Sequence, residues 1–488
     1  MSMHRAVVVE EFPEFVTPWE LRHAFGDGPS VLLENPGAPS ELGRYAFLGG
    51  DAFLRFEVSA GGMTWAGPPE VLSLRHGNPL DVLAALLDEY RCEPVAARDG
   101  LPPFLGGAMG YLGYELLSAV EPSVLPSRRD ELGVPEAVLL FCGSVVAADL
   151  VARRSWRVAQ AFDEDPARAG ARAAELMARL RERTATRAPE LFPGGLQRPS
   201  GRLTEEGVEA AGFKPRVSRA AYEATVEQAR DDICAGTLFE VCTSQRFDGT
   251  YAGSGERLYA ALRALNPAPF GAWLRLEGLD IACSSPERFV KLDREGRVET
   301  RPIKGTRPRG ATPGEDARLA AELASAEKDR AENLMIVDLA RNDLGRVCEF
   351  GTVQVPSLCA VEAHPFTFQL VSTVVGQVRA GVGPVEVVEA AFPGGSMTGA
   401  PKVEAMRRIA TLEPARRGVF AGSIGYVDFD GGMDLNIVIR TLVKQGERVS
   451  FSVGGAVVAD SEPHAEYRET LDKAHALVAA VEAARKGV

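Results

Sequence analysis

The 488-residue sequence lacks the features of membrane-bound, secreted and nucleic-acid-binding proteins. No apolar run approaches the roughly 18 residues that a membrane-spanning helix needs, and charged residues appear too early in the chain for a secretion signal. The 67 acidic residues outnumber the 54 basic ones, which argues against general affinity for nucleic acid or anionic lipid. The seven cysteines form no C-x-x-C pair and are odd in number, which argues against a disulfide framework. We therefore predict a soluble, cytoplasmic protein with no membrane and no nucleic-acid partner.

Several catalytic and nucleotide-binding motifs are also missing. There is no G-x-S-x-G or G-x-C-x-G nucleophile turn, and the six histidines do not have zinc-like spacing. The glycine-rich segment 393–402 fails the Walker A spacing, because Lys402 follows Gly399 by three residues and Val403 comes next. The glycines of residues 103–114 lack the G-x-G-x-x-G spacing of a dinucleotide site. A small anionic substrate other than a nucleotide remains compatible with this pattern.

The hydrophobic pattern mixes strands and helices without strict β-α-β alternation. This favours an α+β fold in which antiparallel sheets are covered by helices. Residues 188–213 are rich in Pro, Gly, Arg and Glu, so we predict a linker there between an amino-terminal domain (1–187) and a second domain (214–488). In the second domain we predict a long helical segment over 313–348 and helices over 362–375 and 384–391.

The basic stretch RPIKGTRPRG (301–310) contains a lysine in an unusual setting. Lys304 follows the apolar Ile303 and precedes a glycine turn, which favours a side chain aimed into a pocket. A desolvated lysine beside other cations loses its proton more readily, and a neutral amine is a nucleophile. The alternative is a basic strand end whose side chains stay in water. This stretch alone does not distinguish the two.

Two acidic pairs have a spacing of three residues, Asp329 with Glu332 and Glu466 with Glu469. That spacing places both carboxylates of a pair on one face of a helix. On two facing helices the pairs would supply oxygen ligands for Mg²⁺, which is commonly held by one or two carboxylates, waters and an anionic substrate. Solvated helix faces are the alternative, because such pairs are common in an acidic chain.

Other segments are candidate contacts for an anionic ligand. The glycine-rich turn PGGSMTGAPK (393–402) opens a helix and offers backbone N–H groups to a carboxylate, or is a plain connecting turn. Arg440 ends a strand and can hold a carboxylate through two hydrogen bonds, or is an ordinary rim arginine. The small residues at 454–456 would let a ligand approach a strand backbone. Glu287 is a candidate general acid or an arginine partner.

Five motifs of the second domain resemble the chorismate-utilising enzymes, which include anthranilate synthase component I, aminodeoxychorismate synthase component I and isochorismate synthase. The motifs are RPIKGTRPRG (301–310), DLARNDLGRVC (338–348), PGGSMTGAPK (393–402), GSIGYVDFDGGMDLNIVIRTL (422–442) and GGAVVADSEPHAEYRETLDKA (454–474). LLENPGAPSELGRYAFLG (32–49) and PFLGGAMGYLGYEL (103–116) resemble the amino-terminal domain of the two amination branches. The resemblance implies two antiparallel β-sheets packed as a sandwich and flanked by helices.

The resemblance also implies roles by motif position. Glu332 and Glu469 match Mg²⁺ ligands, with Asp329 and Glu466 assisting through water. The positions that match chorismate-binding residues are Gly305, Thr306, Thr398, Arg440, Gly454, Gly455 and Ala456.

A lysine at 304 resembles the aminodeoxychorismate synthase branch of the family. In that branch the lysine attacks C2 of the chorismate ring while the C4 hydroxyl leaves, assisted by an acid at the position of Glu287, and ammonia then displaces the lysine. The ammonia is expected from a separate glutamine amidotransferase subunit, since this sequence has no such motif.

Departures from the family pattern affect these expectations. Gln369 stands where many relatives have an active-site histidine, which counts against pyruvate elimination, and Phe420 replaces a tyrosine that is usual in anthranilate synthases. In the pocket where relatives bind tryptophan, Asn35 replaces a serine. The opposite wall of that candidate tryptophan pocket is kept by Pro269, Phe270 and Gly271.

The leading prediction is an enzyme that converts chorismate to 4-amino-4-deoxychorismate for 4-aminobenzoate and folate biosynthesis, with Mg²⁺ as cofactor. The alternative enzyme is anthranilate synthase component I, which forms anthranilate and pyruvate from chorismate. Gln369 and Asn35 motivate a third interpretation, a catalytically silent subunit that binds chorismate or tryptophan.

Overall fold

The computed structural model describes residues 3–59, 62–67, 77–91, 100–124, 131–364 and 366–486. The α-helices of these residues are α1 Pro79–Glu89, α2 Leu117–Val120, α3 Pro166–Arg183, α4 Glu205–Ala210, α5 Arg219–Cys234, α6 Gly255–Leu265, α7 Pro313–Ser325, α8 Glu327–Gly345, α9 Pro384–Ala391, α10 Gly395–Thr398, α11 Lys402–Leu412 and α12 Pro463–Arg485. Short 3₁₀-helices cover Pro18–Leu21 and Tyr114–Leu116. None of the helices in these ranges combines the length and apolar character that crossing a membrane requires.

The strands range from two to fifteen residues, and every pairing among the described residues is antiparallel. They are β1 His4–Glu11, β2 Ser30–Glu34, β3 Tyr45–Ser59, β4 Gly62–Ala66, β5 Gly107–Leu112, β6 Ala137–Asp149, β7 Arg154–Asp163, β8 Lys214–Pro215, β9 Glu240–Thr250, β10 Phe270–Leu276, β11 Leu279–Ser285, β12 Arg288–Leu292, β13 Arg297–Thr300, β14 Ile303–Pro308, β15 Gln354–Ala363, β16 Thr367–Gln377, β17 Gly399–Ala400, β18 Ser423–Asp428, β19 Met433–Asn436, β20 Thr441–Gln445 and β21 Arg448–Val457.

Two long strands, β3 and β6, organise the sheet. They pair over nearly their whole lengths, with a register shift between Ala52 and Leu54. On one side of the shift the ladder runs β1-β7-β6-β3-β2-β10-β11-β20-β21-β9, and on the other it runs β4-β3-β6-β5-β18-β19-β12-β13-β16. Side chains from both arms, including Phe47 and Tyr426, pack into a common core. The predicted α+β fold is confirmed, and its two packed sheets are arms of one ladder joined through β3 and β6.

The ladder crosses the predicted linker. Strand β2 pairs with β10, and β5 pairs with β18, so strands from before and after residues 188–213 lie side by side. The segment 188–213 itself contains α4. The division into residues 1–187, 188–213 and 214–488 stays a prediction about chain organisation.

Local sequence signals explain where several helices begin. Asp165, Ser218, Ser254 and Thr312 each precede a helix, and each side chain accepts a hydrogen bond from a backbone N–H of the first turn. Short polar side chains at this position satisfy backbone donors that have no partner inside the helix. These caps fix the starts of α3, α5, α6 and α7.

Two predicted helical segments differ in the structure. The predicted helical segment 313–348 contains two helices, α7 and α8, which are separated by an extended backbone at Ala326 and end at Gly345. Residues 367–377 form β16, so the helix predicted over 362–375 is wrong, whereas the helix predicted over 384–391 is confirmed as α9. β16 is paired along both edges, by β13 and β14 on one side and by β15 on the other. Both faces of β16 are also buried, so its sequence lacks the polar–apolar alternation of a half-exposed strand.

Candidate active site

Lys304 lies on β14 with 9% of its surface exposed. Its Nζ donates a hydrogen bond to Oε1 of Glu240 at 2.5 Å, and Glu240 is fully buried at the start of β9. Burial alone would lower the pKa of Lys304, but the negative charges of Glu240 and Glu332 raise it above its ordinary value. Lys304 is therefore a cation here. The expectation that neighbouring cations lower its pKa is wrong.

The arginines near Lys304 are neutralised by acids of neighbouring elements. The ion pairs join Arg301 to Glu362, Arg307 to Glu322 and Asp329, and Arg309 to Asp316. Each guanidinium thus has its own local partner, so the basic character of residues 301–309 serves the packing of β14 against α7, α8 and β15.

Glu240 was not identified from the sequence. A single glutamate among 67 acidic residues carries no motif signal. Glu240 shares its face of β9 with Cys242, Ser244 and Arg246, so no apolar alternation in the sequence marks it as buried. A buried charged residue requires a partner, and Lys304 supplies it.

Glu287 lies between β11 and β12 and is buried beside the site. Burial raises the pKa of Glu287 to about 7, although a hydrogen bond with Ser396 and the positive charge of Lys304 act in the opposite direction. A carboxyl group that is partly protonated near neutral pH can donate a proton to a leaving group. The structure therefore places a carboxyl group of raised pKa and a lysine within one electrostatic environment.

The glycine-rich turn packs against the strand that carries Glu240. Residues 399–400 form β17, which pairs with β9, and a Cβ atom at Gly399 would lie 2.1 Å from the Glu240 carbonyl oxygen. The φ of +136° at Gly399 also favours glycine. Thr398 is fully buried, and its hydroxyl donates to a carbonyl within the turn. Lys402 pairs with Asp343 at 2.6 Å, so this lysine holds the turn in place.

The two acidic pairs share an electrostatic environment. Asp329 and Glu332 lie on α8, and Glu466 and Glu469 lie on α12. The Nζ of Lys328 is 3.9 Å from Glu332, and its charge also favours the ionised form of both α12 carboxyls. Lys328 therefore connects the two pairs.

The carboxyls at 332 and 466 have the properties of cation ligands. Burial raises the pKa of Glu332 to about 7 and also raises that of Glu466. Oε2 of Glu466 is buried and has no hydrogen-bond partner within the described residues. A Cβ atom at Gly455 would lie 2.8 Å from this oxygen, so the glycine leaves space in front of it. A cation that prefers oxygen ligands fits beside Glu332 and Glu466.

The other two carboxyls are engaged by cations of the protein. Asp329 accepts a hydrogen bond from Arg307 at 3.0 Å, and Glu469 pairs with Lys473 at 2.6 Å. Across the residues that the structure describes, no three Asp, Glu, His or Cys side chains form a metal-binding cluster. Mg²⁺ at this place would therefore take few protein ligands and complete its octahedron with water and substrate oxygens, which is its common habit.

Arg440 is suited to an anion. It is half-buried, burial lowers its pKa, and it has no acidic partner within the described part of the chain. Its φ of +52° is uncommon for a side chain of this size. An unpaired guanidinium in a strained backbone indicates a ligand-binding role, because both features cost stability.

The remaining predicted contacts lie along β9 and β14. Gly454, Gly455 and Ala456 pair with residues 242–244 of β9, directly after Glu240. Gly305 has a φ of +80° and faces Asp329. Thr306 is exposed and pairs with Gln369, whose buried Oε1 has no hydrogen-bond partner among the described residues.

The predicted wall of the tryptophan pocket lines a cavity between the two arms of the ladder. Pro269, Phe270 and Gly271 form part of this wall, and the other arm of the ladder contributes side chains that include Tyr426. Asn35 is buried beside it, where its Oδ1 accepts a hydrogen bond from the N–H of Gly37 at 3.0 Å. Asn35 therefore stabilises the adjoining loop, and occupation of the cavity by tryptophan stays a prediction.

Fold and site together define an antiparallel sandwich that surrounds a lysine, buried carboxyls and an unpaired arginine. The family model described as chorismate binding enzyme matches residues 53–479, and the chain belongs to this family.

Individual relatives come from two branches of the family. An aminodeoxychorismate synthase from Streptomyces pristinaespiralis is 40% identical over 471 residues, which cover 95% of this chain and 63% of the relative. The chain thus spans less than two thirds of that protein. An anthranilate synthase component 1 from Cereibacter sphaeroides is 38% identical, with 96% of this chain and 88% of the relative covered. The crystal structure of anthranilate synthase component I from Streptococcus pneumoniae superposes with a TM-score of 0.73 at 30% identity, covering 89% of this chain and 92% of that one.

Proposed function

We propose that this protein aminates chorismate at C4 to give 4-amino-4-deoxychorismate, with ammonia supplied by a separate glutamine amidotransferase. The observation that carries the proposal is the buried lysine. Lys304 is 9% exposed, is hydrogen-bonded to Glu240 and acts electrostatically on Glu287. A reaction that proceeds through a covalent lysine adduct needs a lysine amine beside the bound substrate, and Lys304 would supply it.

The side chains divide the chemistry as follows. The neutral amine of Lys304 forms a bond to C2 of the ring, the ring electrons shift, and the C4–O bond breaks. Glu287 gives its proton to the departing hydroxyl, which leaves as water. Ammonia then bonds to C4 as the bond between C2 and Lys304 breaks. Arg440 holds a substrate carboxylate throughout.

The acidic pairs would hold Mg²⁺ in this scheme. By motif position, Glu332 and Glu469 are the proposed direct ligands, with Glu469 exchanging its ion pair with Lys473 for the cation, and Asp329 and Glu466 would assist through water. When bound, the ion would neutralise and orient a substrate carboxylate. The small residues at 454–456 leave room for that carboxylate beside the pairs.

Substitution of Lys304 tests the covalent role. We expect Lys304→Ala to abolish formation of aminodeoxychorismate from chorismate, Mg²⁺ and ammonium, because alanine has no amine to form the adduct. Products are resolved by chromatography. Lys444→Ala is the matched control, since Lys444 lies on β20 and donates to the carbonyl of Gly446. Undiminished turnover by folded Lys304→Ala would contradict the covalent role.

Anthranilate synthase is the second candidate function. The Cereibacter sphaeroides relative with that name is 38% identical and is covered over 88% of its length, whereas the aminodeoxychorismate synthase is covered over 63%. The same assay separates the two functions, because release of anthranilate and pyruvate by the wild-type protein would favour the second.

A further inference from the structure

Glu240 is the buried acid that contacts Lys304. Glu240 has no exposed surface, and its Oε1 accepts the 2.5 Å hydrogen bond from Lys304. Its Oε2 is buried without a hydrogen-bond partner, and Lys304 is its only ion-pair partner within the described residues. Its negative charge is therefore supported by Lys304 alone.

A lysine that attacks carbon must first lose a proton, and the surroundings of Lys304 limit where that proton can go. The titratable groups that face Lys304 come from β9, α8, α12 and the segment before β12; they are Glu240, Cys242, Glu332, Glu469 and Glu287. Among the described residues only Glu240 is within hydrogen-bond distance of Nζ. A base must be within such reach of the proton that it removes.

We propose that Glu240 is the catalytic base that takes the Lys304 proton during amination, an inference that rests on the proposed function. One proton moves from Nζ to Oε1, which converts the ion pair into a neutral amine and a carboxylic acid. The amine lone pair then forms the bond to C2, and Glu287 protonates the leaving hydroxyl. After ammonia has displaced Lys304, the ammonium group at C4 gives a proton to Glu287, and Glu240 returns its proton to the amine. The net change is exchange of hydroxyl for amino, with release of water.

The Oε2 atom of Glu240, which has no hydrogen-bond partner among the described residues, supports this step. A buried carboxylate with several donors would resist protonation, whereas one with a single donor gives up little when it accepts that donor's proton. Substrate that covers the site would exclude water and favour the neutral pair over the ion pair. The same contact keeps Lys304 charged and unreactive until substrate arrives.

Two measurements on Glu240→Gln test the proposal. The first is the rate of aminodeoxychorismate formation with chorismate, Mg²⁺ and ammonium, which we expect to fall at least about 100-fold with a small change in KM for chorismate. The second is carbamylation of Lys304 by cyanate without chorismate, followed by peptide mass spectrometry. Cyanate reacts with unprotonated amines, so loss of the Glu240 charge should accelerate labelling at pH 8 about tenfold or more.

Two further variants serve as controls. Glu322→Gln removes an exposed carboxylate that pairs with Arg307, and we expect wild-type rates of catalysis and labelling. Glu240→Asp keeps the carboxyl group; we expect part of the activity and slow labelling to return. This variant also separates loss of the base from loss of the fold.

The outcomes are distinguishable. If the wild-type protein makes no aminodeoxychorismate, the proposed function fails and the role of Glu240 falls with it. If wild type makes the product and Glu240→Gln retains activity within a few-fold, the base assignment alone is overturned. Loss of activity with unchanged labelling of Lys304 would also overturn it, because Glu240 would then not control the lysine proton.

Discussion

Lys304 and Glu287 are neighbouring buried side chains of the site that differ in charge state. Burial disfavours charge on both, but Lys304 has Glu240 in contact and stays ionised, whereas burial raises the pKa of Glu287 to about 7. Near neutral pH the site thus holds a charged lysine and a partly protonated acid. In the proposed amination, Lys304 must therefore lose its proton before it attacks, whereas Glu287 already holds a proton that it can donate.

The pKa of Glu287 predicts a pH dependence of catalysis. Because Glu287 must carry a proton to donate it, kcat for chorismate at constant free ammonia should fall as pH rises through about 7. Glu287→Gln should lower kcat about 100-fold and remove this descending limb. Glu404→Gln, an exposed carboxyl beside Arg407, should keep the wild-type profile. If Glu287→Gln kept the descending limb of the pH profile, the group that titrates would be a residue other than Glu287.

Among the elements, β9 positions most of the site. It pairs with β17 of the glycine-rich turn and with the small residues at the end of β21, and Glu240 at its start contacts Lys304 on β14. The turn can approach so closely because Gly399 has no side chain. The geometry of the site therefore depends on a backbone contact between a turn and a strand edge.

Gly399→Ala tests this contact. The added Cβ would lie 2.1 Å from the Glu240 carbonyl oxygen, so β17 must move, and we expect a loss of at least about 2 kcal/mol in the free energy of unfolding. Urea denaturation measures it. Gly170→Ala, in the interior of α3 with open space around the new methyl group, should instead stabilise by about 0.5–1 kcal/mol. A change below about 0.5 kcal/mol at Gly399 would contradict the close approach.

At the scale of the whole molecule, hydrogen bonds connect the amino-terminal half to the carboxy-terminal half. Glu115 accepts hydrogen bonds from the backbone N–H groups of Arg417 and Gly418. The buried guanidinium of Arg417 donates in turn to the carbonyl oxygens of Met397 in the turn and Cys242 on β9, both at 2.7 Å. One arginine thus ties the amino-terminal segment to two walls of the site.

This interleaving predicts cooperative unfolding. Since β2 pairs with β10 and β5 with β18, differential scanning calorimetry of the full chain should show one transition. Arg417→Ala should lower the stability of that whole transition by about 3–5 kcal/mol, because it leaves buried acceptors without their partner. Arg407→Ala is an exposed control and should have little effect. Two resolved transitions would instead indicate that the halves fold separately.

The sequence by itself determined the α+β class, the family and the candidate lysine, acidic pairs and arginine, because these depend on local spacing and on motifs that lie within short segments. The strand β16 was missed, because an apolar run buried on both faces has no period that separates strand from helix. Only the tertiary structure decided the charge state of Lys304. Its partner Glu240 is 64 residues away in sequence on β9, which does not pair with β14 within the described residues, so tertiary packing brings the two side chains together. Burial and contacts of this kind set a protonation state, and neither is encoded in local spacing.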